Sequence, residues 1–355
     1  MSKIVIIGGT HHNTLSMIRS LGVKGIKPDV ILCGSDNNSY VLTSKYINKK
    51  YIARNASEAL KIVESEYDNP VIIACSDDIA EALKANVAKY MDKQQQVWLA
   101  EKVGFKTPIS SIHIVDNDVL TFNHFPCIVK PVNSVDGGKR FSVCHDETEL
   151  HQVLSTYATG DRVQIQQYIE KDYEIVVDGV SIEGKTIIPG FIKKHRDILG
   201  GTSFSSTMPI SKLPDAVRRS IDDMILVIGY DGLFGVELIV SEGIYFFVEI
   251  NLRNDATTYS FVKAGVNLPY IYVLAKEGNN YLEENMIPKE INSMVELRDF
   301  TFVMKRKISF WTWLKDLKRS ECLYYYDRDD TGPFWSALWS TVLSHVGRKW
   351  KKDKK

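Results

Sequence analysis

Uninterrupted apolar runs open this chain. Lys3-Ile4-Val5-Ile6-Ile7, Val30-Ile31-Leu32 and Val71-Ile72-Ile73-Ala74 show no polar alternation, the pattern of strands buried on both faces of a parallel sheet. Apolar residues recur at helical spacing over 13–21, 56–64 and 79–90. Strands alternating with helices predict an open parallel sheet. A helix is expected over 91–103, and the pattern then changes. From residue 125 strand patterns dominate: 125–131 with a return at 141–143, then 163–170, 174–180, 185–191, 234–238 and 247–252. Glu183-Gly184 and Ser241-Glu242-Gly243 read as tight turns joining antiparallel neighbours. Further helices are expected over 216–229 and from Asn267 onward.

One of these hairpins carries charge where strands are otherwise apolar: Phe234-Gly235-Val236-Glu237-Leu238, then Phe247-Val248-Glu249-Ile250-Asn251-Leu252-Arg253. Side chains alternate along a strand, so Glu249 and Asn251 share a face. The short turn sets Glu237 roughly opposite Glu249. Carboxylates among Phe, Ile and Val are costly unless something positive joins them. Mg²⁺ bridging nucleotide phosphates would do so, since it takes oxygen from a few carboxylates plus phosphate. Arg253 can hold a phosphate oxygen. Upstream, Phe125-Pro126-Cys127-Ile128-Val129-Lys130-Pro131 is an apolar strand ending in a charge, followed by a small-residue loop with Ser134, Gly137, Gly138 and Lys139. Adjacent glycines let backbone N–H groups approach a polyphosphate, and Lys130 supplies a cation.

The first strand–helix turn, Gly8-Gly9-Thr10-His11-His12-Asn13, lacks the G-x-G-x-x-G spacing, so nicotinamide dinucleotide binding is rejected. His11 and His12 sit at a strand's C-terminal edge, where ligands bind in such sheets; they read as loop histidines, with a substrate contact as the alternative.

Composition narrows the class. The 355 residues suffice for two or three domains, and 44% hydrophobic with 25% charged residues is ordinary for a globular protein. A net charge of zero argues against a nucleic-acid partner. The five cysteines form no C-x-x-C pair and read as buried reduced thiols of a cytoplasmic protein. Met1-Ser2-Lys3 leads straight into a strand, giving no expectation of a signal peptide, and no apolar run approaches transmembrane length.

The acidic hairpin E…E-I-N-x-R resembles the metal-binding signature of the ATP-grasp superfamily, which includes carboxylate–amine ligases, carbamoyl-phosphate synthase-like proteins and biotin carboxylase. Residues 1–90 resemble the α/β domain that precedes the grasp, with Cys75-Ser76-Asp77-Asp78 at its family position. Asp92-Lys93 and Gly104-Phe105-Lys106-Thr107-Pro108 are similar to the entry into the grasp, and the Lys130 strand with its Gly-Gly loop matches the family's phosphate-binding hairpin. Val163-Gln164-Ile165-Gln166-Gln167-Tyr168-Ile169-Glu170 resembles the strand that meets adenine. The resemblance implies nucleotide contacts from Lys93, Lys130, Ser134, Gly137, Gly138, Lys139, Gln166, Gln167 and Ile169, with Glu174 on the ribose. It implies metal ligands Glu237, Glu249 and Asn251, holding two Mg²⁺ ions or Mn²⁺. It implies catalytic roles for Arg253 and for Lys194 and Arg196, from the basic run Lys193-Lys194-His195-Arg196.

The implied fold is mixed α/β and α+β: an N-terminal parallel sheet over 1–90, then a grasp of two antiparallel-sheet subdomains, 91–170 with the Gly-rich loop and 171–290 with the metal site. A basic, Trp-rich extension follows over 291–355. The implied activity is ATP-dependent joining of a small carboxylate to an amine through an acylphosphate. The acid is expected to be an amino acid and the acceptor a cell-wall or surface-polysaccharide precursor, as in D-aspartate ligase-like relatives. The alternative is a nucleotide-binding regulator or scaffold without turnover. Asn254-Asp255-Ala256-Thr257-Thr258 departs from the family's loop at the acceptor pocket. From Phe300 to Lys355 there are 13 Lys/Arg against 6 Asp/Glu, interleaved with Trp. That leaves two readings open, contact with an anionic membrane face or an accessory helical cap. Asp327-Arg328-Asp329-Asp330-Thr331-Gly332-Pro333 weakly resembles a segment of ATP-grasp proteins of surface-polymer pathways. Dimerisation is carried over by analogy only.

Overall fold

The computed structural model describes residues 2–35, 37–115, 122–132, 141–198 and 201–341, the side chains of 85, 86 and 198 excepted. The apolar runs near the N-terminus form β1 (Ile4–Gly8), β2 (Asp29–Cys33), β3 (Lys50–Ala53) and β4 (Val71–Ala74), a parallel sheet in the order β3-β2-β1-β4. Helices α1 (His12–Gly22) and α2 (Ala56–Glu66) connect them. The helix expected over 79–90 is broken into α3 (Asp77–Leu83) and α4 (Ala85–Ala88). Lys84 between them is extended, its ammonium bound to the Asp231 carbonyl and lying over the Tyr230 ring.

Asp92 caps α5 (Lys93–Lys102) by accepting the N–H groups of Gln94 and Gln95. A small antiparallel sheet follows, with β5 (Ser110–Ile114), β6 (Cys127–Pro131), β7 (Ser142–Cys144) and, after α6 (Glu147–Leu154), β8 (Arg162–Gln167), in the order β5-β8-β6-β7. The large sheet contains β9 (Tyr173–Ile182), β10 (Lys185–Ile187), β11 (Gly190–Ile198) and β12 (Gly201–Pro209). After α7 (Asp215–Ile228) come β13 (Gly232–Ser241) and β14 (Ile244–Asn251). Helices α8 (Thr258–Lys263) and α9 (Leu268–Lys276) cross back, and β15 (Ile291–Met294), α10 (Glu296–Met304), α11 (Phe310–Arg319) and β16 (Ser320–Leu323) complete it. Its order is β14-β13-β9-β11-β12-β15-β16, with β10 on β9. Its edge pair β15–β16 runs parallel.

The predicted parallel sheet followed by two sheets of antiparallel character is what the structure contains. One apolar core joins Ile6, Leu15 and Leu32 of the first unit to Val176, Val180 and Ile192 of the large sheet. The opposite face of the large sheet packs Phe234, Val236 and Leu238 on Ile221, Met224 and Ile225 of α7. The small sheet keeps a separate core around Val129, Leu150 and Ile165. All five cysteines are free, and four are buried.

The C-terminal segment is tied to the start of the chain. Arg19 Nε lies 3.0 Å from Asp330 Oδ2, and its other nitrogens donate to the carbonyls of Tyr324, Tyr325 and Asp330. Asp327 accepts from Tyr259 at 2.6 Å. Residues 327 and 330 therefore clasp β16 and the turn after it onto α1 and α8.

Candidate functional site

A cleft of about 860 Å³ opens where the small sheet faces the large one, with the first sheet's loops closing one end. The acidic hairpin forms its floor. The turn is a two-residue type with positive φ at Glu242 and Gly243. Counting back from it, Ser241 pairs with Ile244 and Leu238 with Phe247. Regular pairing would then set Glu237 against Val248. A one-residue bulge intervenes, and Glu237 pairs with Glu249 and Gly235 with Asn251. Bulges re-aim side chains, often beside active sites; here Val248, Glu249 and Asn251 all line the cleft with Glu237.

Lys194 of β11 reaches the floor across β9, which lies between β11 and the hairpin. Its Nζ stands 2.8 Å from Glu237 Oε2 and 3.1 Å from Glu174 Oε2. Burial opposes its charge, but Glu237 and Glu174 outweigh that and hold the ammonium above its ordinary range. Glu237 itself is pushed up by burial and by Glu249, against the pull of Lys194. Glu174 is also held by Lys171, with burial opposed by Lys194 and Lys171 so that it stays below its usual range. Each of its oxygens accepts from a lysine.

The facing wall is cationic. Lys130 donates to Gln166 Oε1 at 3.0 Å. Burial and then Lys93 lower its ammonium to about 8, against the pull of Glu249. Lys93, at the first turn of α5, lies 4.0 Å from Glu249 Oε2. The Gln166 amide oxygen, expected to face adenine, is thus given to Lys130. Gln167, Tyr168 and Ile169 line the cleft, with the Gln167 and Tyr168 N–H groups bonded to Ile109 and Pro126 carbonyls.

Arg253 closes the floor. Its Nε donates to Asp77 Oδ1 at 2.6 Å and its Nη2 to Asn251 Oδ1 at 3.1 Å. Burial opposes its charge, but Asp77, Asp255 and Glu249 hold the guanidinium above its ordinary value.

Eleven of the residues expected at a site therefore meet in one cleft: Lys93, Lys130, Gln166, Gln167, Ile169, Glu174, Lys194, Glu237, Glu249, Asn251 and Arg253. Ser134, Gly137, Gly138 and Lys139 lie outside the described residues. Arg196 is placed elsewhere. His195 is the extra residue of a second bulge, where Lys194 pairs with Ser205 and Arg196 with Phe204. The Arg196 guanidinium grips Asp299 at 3.0 and 2.9 Å and Asp316 at 2.6 Å, over the Phe204 ring. Three of its five N–H donors are thus spent on α10 and α11.

Asp178, Asp255 and Thr257 were given no role at the site from the sequence. Asp178 is fully buried behind the floor, and burial and Asp255 push its carboxyl well above the usual range. The Thr257 hydroxyl is 2.8 Å from Asp178 Oδ2 and 2.9 Å from Asp255 Oδ1. The Thr257 hydroxyl has one hydrogen to share between these two carboxyls. The signal was present: Glu174, Val176 and Asp178 share a face of β9 by simple alternation. Asp255 and Thr257 belong to the loop whose departure from the family pattern was noted. His11 and His12 both line the cleft. His12 is nearly buried against His11 and the edge of Tyr324, burial and His11 lower its pKa, and its Nδ1 has no hydrogen-bond partner among the described residues.

The two walls carry complementary unbalanced charge. Lys93 and Lys130 crowd on one wall, both drawn by Glu249, and Glu237 and Glu249 face each other on the floor. A polyphosphate with a hard cation fits both. Among the described residues no three His, Cys, Asp or Glu side chains converge as a metal cage.

The comparisons agree with this geometry. Residues 81–264 match the family model described as the ATP-grasp domain, just over half of the chain. The carbamoyl phosphate synthase large chain of Neisseria meningitidis serogroup B is 26% identical over 246 residues, covering 65% of this chain and 22% of that protein. That of Methanothrix thermoacetophila is 28% identical over 173 residues, 46% of this chain and 16% of that protein. The chain thus spans about a fifth of the length of these curated relatives. Among solved structures, the ADP complex of N5-carboxyaminoimidazole synthetase from Staphylococcus aureus superposes with a TM-score of 0.63 at 16% identity, covering 79% of this chain and 78% of that one. The L-amino acid ligase from Bacillus licheniformis gives 0.61 at 14% identity, covering 82% and 79%. At these identities the structures speak for the fold alone. With the family model spanning the lysine wall, β8 and the acidic floor, the chain belongs to the ATP-grasp family.

Proposed function

We propose that this protein is an ATP-dependent ligase that joins a carboxylate to an amine through an acylphosphate. The observation that carries the reading is the facing of the Lys93–Lys130 wall and the Glu237–Glu249 floor, with Arg253 at one end. Lys130 and Lys93 would hold phosphate oxygens. Glu237, Glu249 and Asn251 would hold Mg²⁺, which neutralises phosphate charge when bound. Arg253 would orient the substrate carboxylate toward the γ-phosphorus, and Lys194 would keep Glu237 ionised and in place. No protein nucleophile is needed; positioning and preorganised charge carry the chemistry.

The acid is proposed to be an amino acid. Arg253 offers a cation, and Asp77 and Asp255 beside it offer anions, a combination suited to a zwitterion. Thr202 and Ser203 line the same cleft. A surface-polymer precursor as acceptor is supported only by the weak resemblance around Asp327–Pro333, whose aspartates here serve the clasp to α1 and α8.

Release of ADP from Mg·ATP with hydroxylamine as the amine, across D- and L-amino acids and small acids, tests the reading. A carboxylate-dependent hydroxamate supports it and names the acid. ATP binding with neither ADP release nor hydroxamate would favour a nucleotide-binding regulator instead.

A further inference from the structure

The α10–α11 hairpin presents a surface that the cleft does not explain. Its turn exposes Lys305, Arg306 and Lys307, and α11 exposes Lys315, Lys318 and Arg319. Between residues 297 and 319 the carboxylates are Asp299 and Asp316, both buried and both bound to Arg196. The outer face therefore carries six exposed cations and no exposed carboxylate. The same tip exposes apolar side chains: Met304 at 67%, Phe310 at 46% and Trp311 at 75%. Trp311, Lys315 and Lys318 fall at i, i+4 and i+7, one face of α11. Trp313 turns inward, packing on Phe300 with ring centroids 5.0 Å apart.

Cations alone would suit any polyanion. An apolar tip of Met, Phe and Trp ringed by lysines with long aliphatic stems suits an interface that is apolar inside and anionic at its surface. No described helix is long and apolar enough to cross a membrane, so contact would be peripheral. We propose that the α10–α11 hairpin docks on an anionic lipid bilayer, with Met304, Phe310 and Trp311 entering the interfacial layer and the six cations meeting lipid headgroups. The hairpin is fixed to the catalytic cleft rather than hung from it. Asp299 accepts from Ser203 at 2.7 Å as well as from Arg196, and Ser203 lines the cleft. Docking would therefore hold the cleft at a set orientation to the lipid surface. This inference does not rest on the ligase reading.

The full chain is to be sedimented with vesicles of phosphatidylcholine alone and of phosphatidylcholine with phosphatidylglycerol. Binding is expected only to the anionic vesicles, weakening with salt. The triple variant Lys305→Glu, Arg306→Glu, Lys307→Glu should lower affinity on the order of 100-fold, about fivefold per cation lost. Trp311→Ala and Phe310→Ala, at exposed positions, should retain the native circular dichroism, bind several-fold more weakly and reduce quenching of tryptophan emission by brominated acyl chains. Absence of binding to anionic vesicles at low salt overturns the proposal. So does charge reversal without effect. Loss on charge reversal with no effect of either aromatic substitution also overturns it, marking a site for a soluble polyanion instead.

Discussion

Arg19 and Asp330 lie 311 residues apart and form an ion pair that water does not reach. Ser44 donates to the same Asp330 oxygen at 2.8 Å, and the Lys45 N–H to the other at 2.9 Å. Removing one partner leaves a buried charge uncompensated. Arg19→Ala or Asp330→Ala should each lower unfolding free energy by about 3–5 kcal/mol, whereas an apolar pair such as Arg19→Met with Asp330→Leu should lose less. Urea midpoints of the three variants decide; a double variant as weak as the sum of the singles would contradict this account.

Glu249→Gln should reduce ATP turnover by at least about 100-fold, more than loss of an outer partner of a metal site usually does. Nucleotide binding without Mg²⁺ should change little, because Lys93 and Lys130 remain. Turnover that survives the substitution would remove Glu249 from the metal site.

Lys130 titrates near 8 rather than at its ordinary 10.5, because burial and Lys93 disfavour its charge. The protonated form is the one that attracts phosphate. ATP affinity should therefore be constant below about pH 8 and fall above it, by up to about tenfold per pH unit. Lys130→Arg, charged throughout, should flatten that slope. Isothermal titration from pH 6.5 to 9.5 measures both; a profile identical in the two proteins would rule the lysine out as the titrating group.

Arg196 is held by two aspartates, so Arg196→Ala should act on stability. About 3–5 kcal/mol is expected for stranding buried Asp299 and Asp316, with ATP affinity of the folded fraction unchanged. A variant of native stability that fails to turn over would return Arg196 to the chemistry.

The fold class was readable because the two periodicities differ so plainly: unbroken apolar runs to residue 74, then alternating strands closed by Glu183-Gly184 and Glu242-Gly243. Alternation put Glu249 and Asn251 on one face, while Lys93, Gln166, Gln167, Ile169, Glu174 and Lys194 came from the resemblance to the ATP-grasp family. The facing of Glu237 and Glu249 was expected from the short turn and holds, but the route to it was not legible. It depends on the bulge at Val248, and neither Val248 nor its neighbours carry a glycine or proline to mark it. Arg196 was misplaced by the same kind of event, a bulge at His195 inside a four-residue basic run. Asp299 and Asp316, which claim its guanidinium, lie a hundred residues further on, where no local pattern connects them. Tyr324 and the Arg19–Asp330 clasp are likewise contacts of long sequence separation, and composition read the tail only as basic and aromatic.

That clasp also sets an order in time. Tyr324 forms part of the cleft wall, and it is seated through Arg19, Glu296 and the turn ending at Asp330. During synthesis the acidic floor and the lysine wall are made well before that turn emerges from the ribosome. The nascent chain can assemble most of its nucleotide site early, but the end of the cleft beside His12 remains unwalled until the segment around residue 330 is free to fold back on the first helix.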